Sequence, residues 1–382
     1  MNTERVFKKL KYIPVVVAAM MSASVAQVAV AEDTLTTYLL EAGPFGSGVS
    51  TLEFVDSTRS TPANGDAPEL AERTLPITVW YPASDPSSVG EAQATPAKAP
   101  FGGHFPLIIA AHGLAGLSSN WTYMGEYLAS HGYIVAALNF PASNAEAAGG
   151  PNALDVPNQV LDLQFLLESL QQEVPFAELI DMTRVGLLGH SLGGLTVSLS
   201  EKLPAVDAVA MLSPAFCPGQ ELVAESEPLA VPSLLVHGTT DAITVFDRNA
   251  EPLFALSGEP KYLVAIDNGS HLGFVDSAPA IEATLAPLAV DTAFCLQGLF
   301  DNDPSAAACG TCENPPESAQ LSAQRQLDLT RVTVRSFFDA HLRCNALGGI
   351  YLQHVAGHEN QELAITFEGD RFAANRACIG LE

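Results

Sequence analysis

Six residues near the middle of the chain, Gly189-His190-Ser191-Leu192-Gly193-Gly194, join a predicted strand to a predicted helix. The apolar run at 184–188 is typical of a buried strand, and residues 195–202 can continue as a helix. Gly-x-Ser-x-Gly at such a junction predicts a tight turn in which the serine adopts a strained backbone conformation. The flanking glycines let strand and helix pass close to each other. Ser191 is therefore predicted to project at the carboxyl edge of a sheet, next to a helix N-terminus.

The rest of the chain alternates apolar strands with helical patterns. Apolar strands are predicted at 106–111, 133–138, 205–212, 232–237 and 261–266, and helices at 120–130, 155–173 and 321–344. Near-continuous apolar strands predict an α/β fold with a mostly parallel central sheet that carries helices on both faces. Strands at 50–56 and 74–82 are expected at an antiparallel N-terminal edge. Residues from about 276 to 320 break this rhythm and are predicted to form an insertion near the site.

A serine hydroxyl needs a base to take its proton and an acid to orient that base. Asp241 follows the strand at 232–237, and His271 follows the strand at 261–266. Both should emerge at the same sheet edge as Ser191, and the order Ser, Asp, His suits this kind of site. The rival acid Asp207 lies within an apolar strand, where a structural role is expected, and Asp276 follows the histidine. Ser191, Asp241 and His271 are therefore the predicted catalytic triad.

The oxyanion hole is predicted to use two backbone N–H groups. One is that of Leu192, directly after the nucleophile, and the other is that of Leu114, in the small-residue loop after the strand at 106–111. His190 is expected to pack and hydrogen-bond beside the nucleophile rather than to act as the base. The histidines near the C-terminus lack metal-ligand spacing, and the predicted mechanism needs no metal or organic cofactor.

The N-terminal segment predicts an exported protein. Residues 1–31 carry a basic start, an apolar core and an A-x-A cleavage site, as a signal peptide does, which leaves 32–382 as a single domain. Periplasmic or extracellular localisation is expected, without stable membrane insertion. The chain has 382 residues and a net charge of −26. Such acidity argues against a nucleic-acid partner, while the oligomeric state stays open.

Six cysteines lie after the predicted signal peptide. An even number in an exported chain favours disulfides, although six cysteines allow 15 connectivities. Cys309 and Cys312 form a C-x-x-C, for which a redox or zinc role is the alternative. The surrounding sequence looks like an irregular loop without a βαβ context, so disulfides that staple this loop are favoured. Cys344 and Cys378 are one suggested pair.

Several of these segments together resemble the α/β-hydrolase superfamily, most of all bacterial serine esterases related to platelet-activating-factor acetylhydrolase and dienelactone hydrolase. The resemblance rests on 75–83, on 112–114, on 128–137 and on the Gly189–Gly194 turn. It implies the same triad and the same two oxyanion donors. Dienelactone hydrolases proper use cysteine as nucleophile, whereas this chain has serine, and the insertion at 276–320 departs from the pattern.

The motifs and the predicted signal peptide together predict a secreted hydrolase that cleaves carboxylic esters through an acyl-enzyme. The expected substrate is a small-molecule, lipid or polymer ester, and acyl-chain length is open. One alternative is a lipase or polyester hydrolase that acts on insoluble substrate, and another is a peptidase or amidase on the same triad. Outside enzymes, the alternative is a catalytically inactive α/β-hydrolase used for binding.

Overall fold

The computed structural model describes residues 34–369, apart from 101–102, 172–176, 201–202, 204, 228, 287, 299–303 and 318–320. The signal peptide predicted at 1–31 lies outside these residues. So does Cys378, and with it the suggested pair with Cys344. Within the described part, no helix combines the length and the apolar character that a membrane crossing requires.

Ten strands of the described chain form one sheet. They are β1 Gly46–Asp56, β2 Arg73–Ala83, β3 Glu91–Ala92, β4 Phe105–Ala111, β5 Ile134–Leu138, β6 Ile180–His190, β7 Ala208–Leu212, β8 Ser233–Gly238, β9 Lys261–Ile266 and β10 Leu363–Glu368. Their order across the sheet is β10-β9-β8-β7-β6-β4-β5-β2-β1-β3.

The helices cover both faces of this sheet and the site edge. They are α1 Leu35–Leu40, α2 Thr122–Ser130, α3 Val156–Leu170, α4 Leu192–Ser198, α5 Phe216–Ala224, α6 Phe246–Leu256, α7 Ala278–Leu285, α8 Val290–Cys295, α9 Pro304–Ala308, α10 Ala323–Leu342, α11 Ala346–Ile350 and α12 Ala356–Glu359. Short 3₁₀ turns lie at Ser118–Trp121, Ala153–Asp155, Ala177–Leu179 and Leu272–Phe274, and one π turn lies at Tyr351–Val355.

The predicted fold class is confirmed. Strands β4 to β9 pair in parallel, while β1 and β2 form the antiparallel edge. The sequence did not predict β10, which pairs antiparallel with β9 and extends the opposite edge. The expectation of an irregular loop around the C-x-x-C is wrong in part, because three short helices, α7 to α9, lie within the insertion.

Successive side chains of the central strands point alternately into two apolar layers, one on each face of the sheet. Ile109 and Leu187 face one side, where α3 supplies Leu163 and Leu167. Ile108 and Leu188 face the other side, where residues of α2 and α10 pack. Because burial on both faces removes apolar surface from water, the central strands are held rigidly, and their carboxyl ends form a fixed platform for the site.

A buried ion network fixes the start of α3 against the sheet. Arg73 of β2 is fully buried and donates to Asp155 at 2.6 Å and to Asp162 at 2.7 Å. Arg59 also donates to Asp162, at 2.8 Å. Burial lowers the pKa of Arg73, but bonds and charges of the two carboxylates outweigh it, and the net pKa is raised. The network therefore holds α3 in one position.

Replacing Arg73 with Met should lower the free energy of unfolding by about 3–5 kcal/mol, because Asp155 and Asp162 would stay buried with reduced compensation. Urea denaturation measures this. Arg184→Met is the control, since Arg184 and its partner Asp181 are partly exposed and such a pair contributes only about 0–1 kcal/mol. Equal losses in the two variants would contradict the assignment of the network.

Candidate active site

Ser191 sits at the tip of the turn between β6 and α4 in a strained conformation. Its φ is 55° and its ψ is −118°, which non-glycine residues rarely adopt. Two backbone bonds hold it there: its N–H donates to the carbonyl of Leu212, and its carbonyl accepts from Ala215, each at 3.0 Å. The side chain therefore projects beyond the carboxyl end of the sheet.

Two glycines make this turn possible. A Cβ on Gly189 would lie 2.2 Å from the carbonyl oxygen of Gly193, and a Cβ on Gly193 would lie 2.2 Å from that of Ala111. Neither position has room for a side chain, so the first turn of α4 rests directly on strands β4 and β6. This close crossing places Ser191 beside the loop that follows β4.

His271 and Asp241 lie within hydrogen-bonding distance, as the sequence predicts. The Nδ1 atom of His271 is 2.8 Å from Oδ2 of Asp241, and both side chains are buried. The carboxylate can only accept, so the proton lies on Nδ1 and Nε2 carries a free electron pair in the neutral ring. This is the tautomer that a general base for a serine hydroxyl requires.

Donors surround the Asp241 carboxylate. The N–H groups of Ile243 and Thr244 donate to Oδ1 at 2.9 and 2.8 Å, and the Thr244 hydroxyl donates to Oδ2 at 2.8 Å. Burial raises the pKa of Asp241, whereas the charge and the hydrogen bond of His271 lower it by more. The net pKa of Asp241 is therefore below its ordinary range. Asp241 is therefore held as an anion. Sequence reasoning missed Thr244, although its position three residues after Asp241 is typical of such a capping turn.

The contact between Asp241 and His271 raises the pKa of the histidine, whereas it lowers that of the aspartate. Burial lowers the pKa of His271, but the charge and the hydrogen bond of Asp241 raise it more, and the net pKa is above 6.5. The Asp241 carboxylate therefore stabilises the imidazolium that forms when His271 accepts a proton.

His190 cannot serve as the base. Its Nε2 atom is 3.1 Å from the backbone carbonyl of His271, so it donates there, and the two rings lie 4.7 Å apart. Burial, followed by the charge of His271, lowers the pKa of His190 to about 3. It stays neutral and supports the backbone of His271, in agreement with the packing role expected from the sequence.

The rival acid Asp207 lies elsewhere. It precedes β7 rather than lying within it, as the sequence suggested, and its side chain is exposed. Its carboxylate accepts from the N–H of Val185 at 2.8 Å. The role of Asp207 is therefore structural, at the end of the strands opposite to Ser191.

His112 fixes the loop that follows β4. Its Nε2 accepts from the N–H of Phe140 at 3.1 Å, which puts the ring proton on Nδ1, 2.7 Å from the carbonyl of Gly113. Burial lowers the pKa of His112 to about 4, so the ring stays neutral. Sequence reasoning included His112 in this loop without giving it a role.

This anchored loop approaches the nucleophile closely. A Cβ on Gly113 would lie 2.9 Å from the Cβ of Ser191. The next residue, Leu114, lines the same pocket as Ser191 and Leu192. The structure thus brings the two predicted oxyanion donors together around Ser191, while their catalytic role stays a prediction.

A pocket of about 660 Å³ opens beside Ser191. Many of its lining residues are apolar: Leu114, Val156, Pro157, Leu192, Leu195, Ala215, Leu222 and Ile243. Helix α9 and Thr311 contribute to its lining, so the insertion forms part of this wall. The exposed carboxylates of Glu221 and Glu225 also line it, which disfavours an anionic ligand. The pocket suits an apolar, uncharged group attached to the reacting carbonyl.

Disulfides fasten the insertion at this wall. Cys217 of α5 pairs with Cys309, and Cys295 of α8 pairs with Cys312. The two cysteines of the C-x-x-C thus bind different partners, which confirms the predicted loop-stapling role over a redox or zinc role. Arg248 of α6 adds a bond to the carbonyl of Ala308 at 3.0 Å.

The insertion also contributes a buried carboxylate, Asp291, which sequence reasoning missed. It lies behind His271 and accepts from three backbone N–H groups. Its pKa is raised to about 6, first by burial and then by the negative charge of Asp241. No motif in the sequence marks Asp291, because its contacts form only when the insertion folds onto the site.

Comparisons with known proteins show to which family the chain belongs. The sequence model of a family described as PET hydrolase-like matches residues 83–326, more than half of the chain. Cutinase est1 from Thermobifida alba is 27% identical over 202 residues, which cover 49% of this chain and 64% of the cutinase. Bis(hydroxyethyl) terephthalate hydrolase from Streptomyces coelicolor is 25% identical over 173 residues, which cover 44% and 51%. Each match thus spans less than two thirds of the relative.

The fold comparison extends further along the chain. A ferulic acid esterase from Streptomyces cinnamoneus superposes with a TM-score of 0.60 and covers 86% of this chain and 98% of its own. At 23% identity, this likeness concerns the fold alone. The range matched by the family includes Ser191, Asp241 and His271.

The reactivity of Ser191 should depend on the protonation of His271. Because the pKa of His271 is raised above 6.5, the rate at which a fluorophosphonate labels Ser191 should fall as the pH drops through a value above 6.5. Asp241→Asn removes the charge that raises this pKa, so the midpoint should move to lower pH, and the plateau rate should fall by about 10³–10⁴-fold. Mass spectrometry of the labelled chain measures both.

Asp207→Asn is the matched control, because it removes a carboxylate that bonds the backbone away from the site. It should leave the midpoint and the plateau of labelling unchanged. A midpoint that stays in place in Asp241→Asn, or that moves equally in both variants, would contradict the pairing of Asp241 with His271.

Proposed function

We propose that this chain, which belongs to the PET hydrolase-like family of α/β-hydrolases, is a serine hydrolase that cleaves carboxylic esters through an acyl-enzyme. The observation that carries the proposal is the bond between His271 Nδ1 and Asp241 Oδ2 at the sheet edge that presents Ser191. That bond gives the histidine the tautomer that takes a proton at Nε2. The triad assignment and the names of the matched relatives support the same activity.

In this mechanism Ser191 Oγ attacks the ester carbonyl while His271 Nε2 takes its proton. The carbonyl oxygen becomes an oxyanion, which the N–H groups of Leu114 and Leu192 stabilise. His271 then gives the proton to the leaving alkoxide, and an acyl group remains on Ser191. Water, activated by the same histidine, attacks this acyl-enzyme and releases the acid, which restores the serine.

We propose uncharged esters with an apolar acyl or aryl part as the substrates. A volume of about 660 Å³ accommodates one such group of a small molecule. The exposed carboxylates of Glu221 and Glu225 on the pocket wall repel anionic substrates and also the released acid. This repulsion favours product release.

We propose a polyester hydrolase as the second candidate, because the matched family is described as PET hydrolase-like and PET is a polyester. An insoluble chain must reach Ser191 past the insertion, whereas a small diester enters the pocket whole. The two candidates separate when soluble short esters are compared with polyester films at equal enzyme concentration. Rates on the film that equal or exceed those on soluble esters would favour the second candidate.

We also propose that the protein is exported. Two disulfides among the described residues, and a leader of signal-peptide composition at 1–31, support an oxidising compartment. The N-terminal sequence of the protein secreted by an expressing host tests this proposal.

Ser191→Ala should reduce kcat/KM on p-nitrophenyl esters to less than about one thousandth of the wild-type value, since the nucleophile is lost. The variant should keep its stability, because alanine fits the same turn. Ser198→Ala, which removes a buried hydroxyl from helix α4 directly after the turn, is the control and should retain activity. Wild-type activity in Ser191→Ala would contradict the proposal. Failure of the wild-type protein to react with a fluorophosphonate would favour a catalytically inactive binding protein.

A further inference from the structure

We infer that Asp291, in the insertion at 276–320, is a positioning residue that locks the two loops carrying Asp241 and His271. The inference rests on the proposed function for its catalytic consequence, but its structural content stands on contacts alone. Asp291 lies on α8 and is fully buried. It is 20 residues from His271 and 49 from the backbone of Ala242 along the chain.

One carboxylate reaches three points of the catalytic loops. Its Oδ2 atom accepts from the N–H of His271 at 2.7 Å and from that of Ala242 at 3.2 Å. Its Oδ1 atom accepts from the N–H of Leu272 at 3.0 Å. Asp291 therefore holds the backbone of the base, of the residue after the base, and of the residue after the acid.

The backbone of His271 is held from both sides. Its N–H donates to Asp291, and its carbonyl accepts from Nε2 of His190 at 3.1 Å. Its ring is fixed through Nδ1 by Asp241. These three contacts leave Nε2 as the ring nitrogen directed to proton transfer, so a shift of the backbone would move the reacting atom itself.

A carboxylate suits this position better than an amide. Both oxygens of Asp291 accept from N–H groups, whereas asparagine has one accepting oxygen and would turn an NH₂ group toward another donor. Burying a charge is costly unless hydrogen bonds compensate for it. The three backbone donors do so in part, while burial and the charge of Asp241 still raise the pKa of Asp291 to about 6. An anion at this position is repelled by the Asp241 carboxylate, so a packing role alone does not explain why an aspartate stands here.

The insertion is itself secured against the same loop. Cys295, the last residue of α8, is bonded to Cys312, and the N–H of Cys312 donates to the carbonyl of Ala242 at 2.6 Å. The hydroxyl of Thr311 donates to the carbonyl of Ile243 at 2.9 Å. Asp291 thus lies on a helix whose last residue is joined by a disulfide to the segment that hydrogen-bonds the loop of the catalytic acid.

Four ionisable groups face His271. They are Asp241 from the loop after β8, Asp291 from α8, His190 from the end of β6, and His237 from the end of β8. The histidines are buried and neutral, since burial lowers the pKa of each. The charge of Asp291 raises the pKa of His271 in addition to that of Asp241. Removing it should therefore lower the pKa of the base.

The test compares wild type with Asp291→Asn in the full chain. We expect kcat on a soluble ester, per serine titrated by fluorophosphonate, to fall by about 10–100-fold, with KM changed less than about threefold, since misplacement of the base costs up to about 10² in rate. The acid limb of the pH profile should move to lower pH. Asp291→Glu keeps both accepting oxygens and should retain more activity than the asparagine variant.

Asp276→Asn is the matched control, because Asp276 lies in the same insertion and accepts one N–H, from Tyr123 at 2.9 Å. It should change kcat less than about threefold and leave the acid limb in place. Amide hydrogen exchange adds a readout that needs no activity: exchange at Ala242, His271 and Leu272 should quicken in Asp291→Asn beyond the change in the control.

Equal exchange at these three amides in the two variants would overturn the inference, and so would an unchanged kcat per titrated serine together with an unmoved acid limb. If Asp291→Asn does not fold, the same comparison is made with Asp291→Ser, which lacks the two carboxylate oxygens and for which quicker exchange at the three amides is expected. A wild type that cleaves no ester refutes the proposed function, while the exchange result still decides whether Asp291 holds the loops.

Discussion

The whole site depends on the close passage of α4 over strands β4 and β6. Gly193 touches the backbone of Ala111, and Gly189 touches that of Gly193, so no side chain fits between helix and sheet. This contact forces Ser191 into its strained conformation and sets its distance from the loop at Gly113. Because the strands below are buried on both faces, the strain cannot relax by movement of the sheet. A rigid platform thus maintains a reactive geometry that the turn alone would not hold.

Electrostatic interactions give the buried histidines near the site different pKa values. Four buried histidines lie near the site, and burial keeps His112, His190 and His237 neutral, while the anion of Asp241 makes His271 more basic. The neutral rings serve as hydrogen-bonding parts of the backbone scaffold. In the proposed mechanism, the basic ring is the proton acceptor. In the proposed mechanism, the direct hydrogen bond to Asp241 distinguishes the base from its neighbours: the distance to Asp241 Oδ2 is 2.8 Å from His271 Nδ1 and 3.9 Å from His237 Nε2.

The sequence predicted those parts of the fold and site that depend on local patterns. Apolar runs identified the parallel strands, the glycines around Ser191 identified the turn, and strand ends located Asp241 and His271. Contacts between distant segments that no local pattern marks could not be predicted from the sequence. Asp291 gains its partners only when three short helices fold onto the site, and Arg73 meets carboxylates more than 80 residues away. Cysteine pairing was undetermined, because 15 connectivities satisfied the same count. Strand β10 lies at an edge, where half of its residues are exposed and the apolar signal is weak.

The most direct measurement of the central claim is a crystal structure of the protein after reaction with a phosphonate ester, whose tetrahedral phosphorus stands in for the attacked carbonyl. The account predicts a covalent bond from phosphorus to Ser191 Oγ and a phosphoryl oxygen within about 2.7–3.1 Å of the N–H groups of Leu114 and Leu192. The Nε2 atom of His271 should lie within hydrogen-bonding distance of Oγ, and the substituent should occupy the apolar pocket. An adduct on another residue, or an oxygen turned away from both N–H groups, would contradict it.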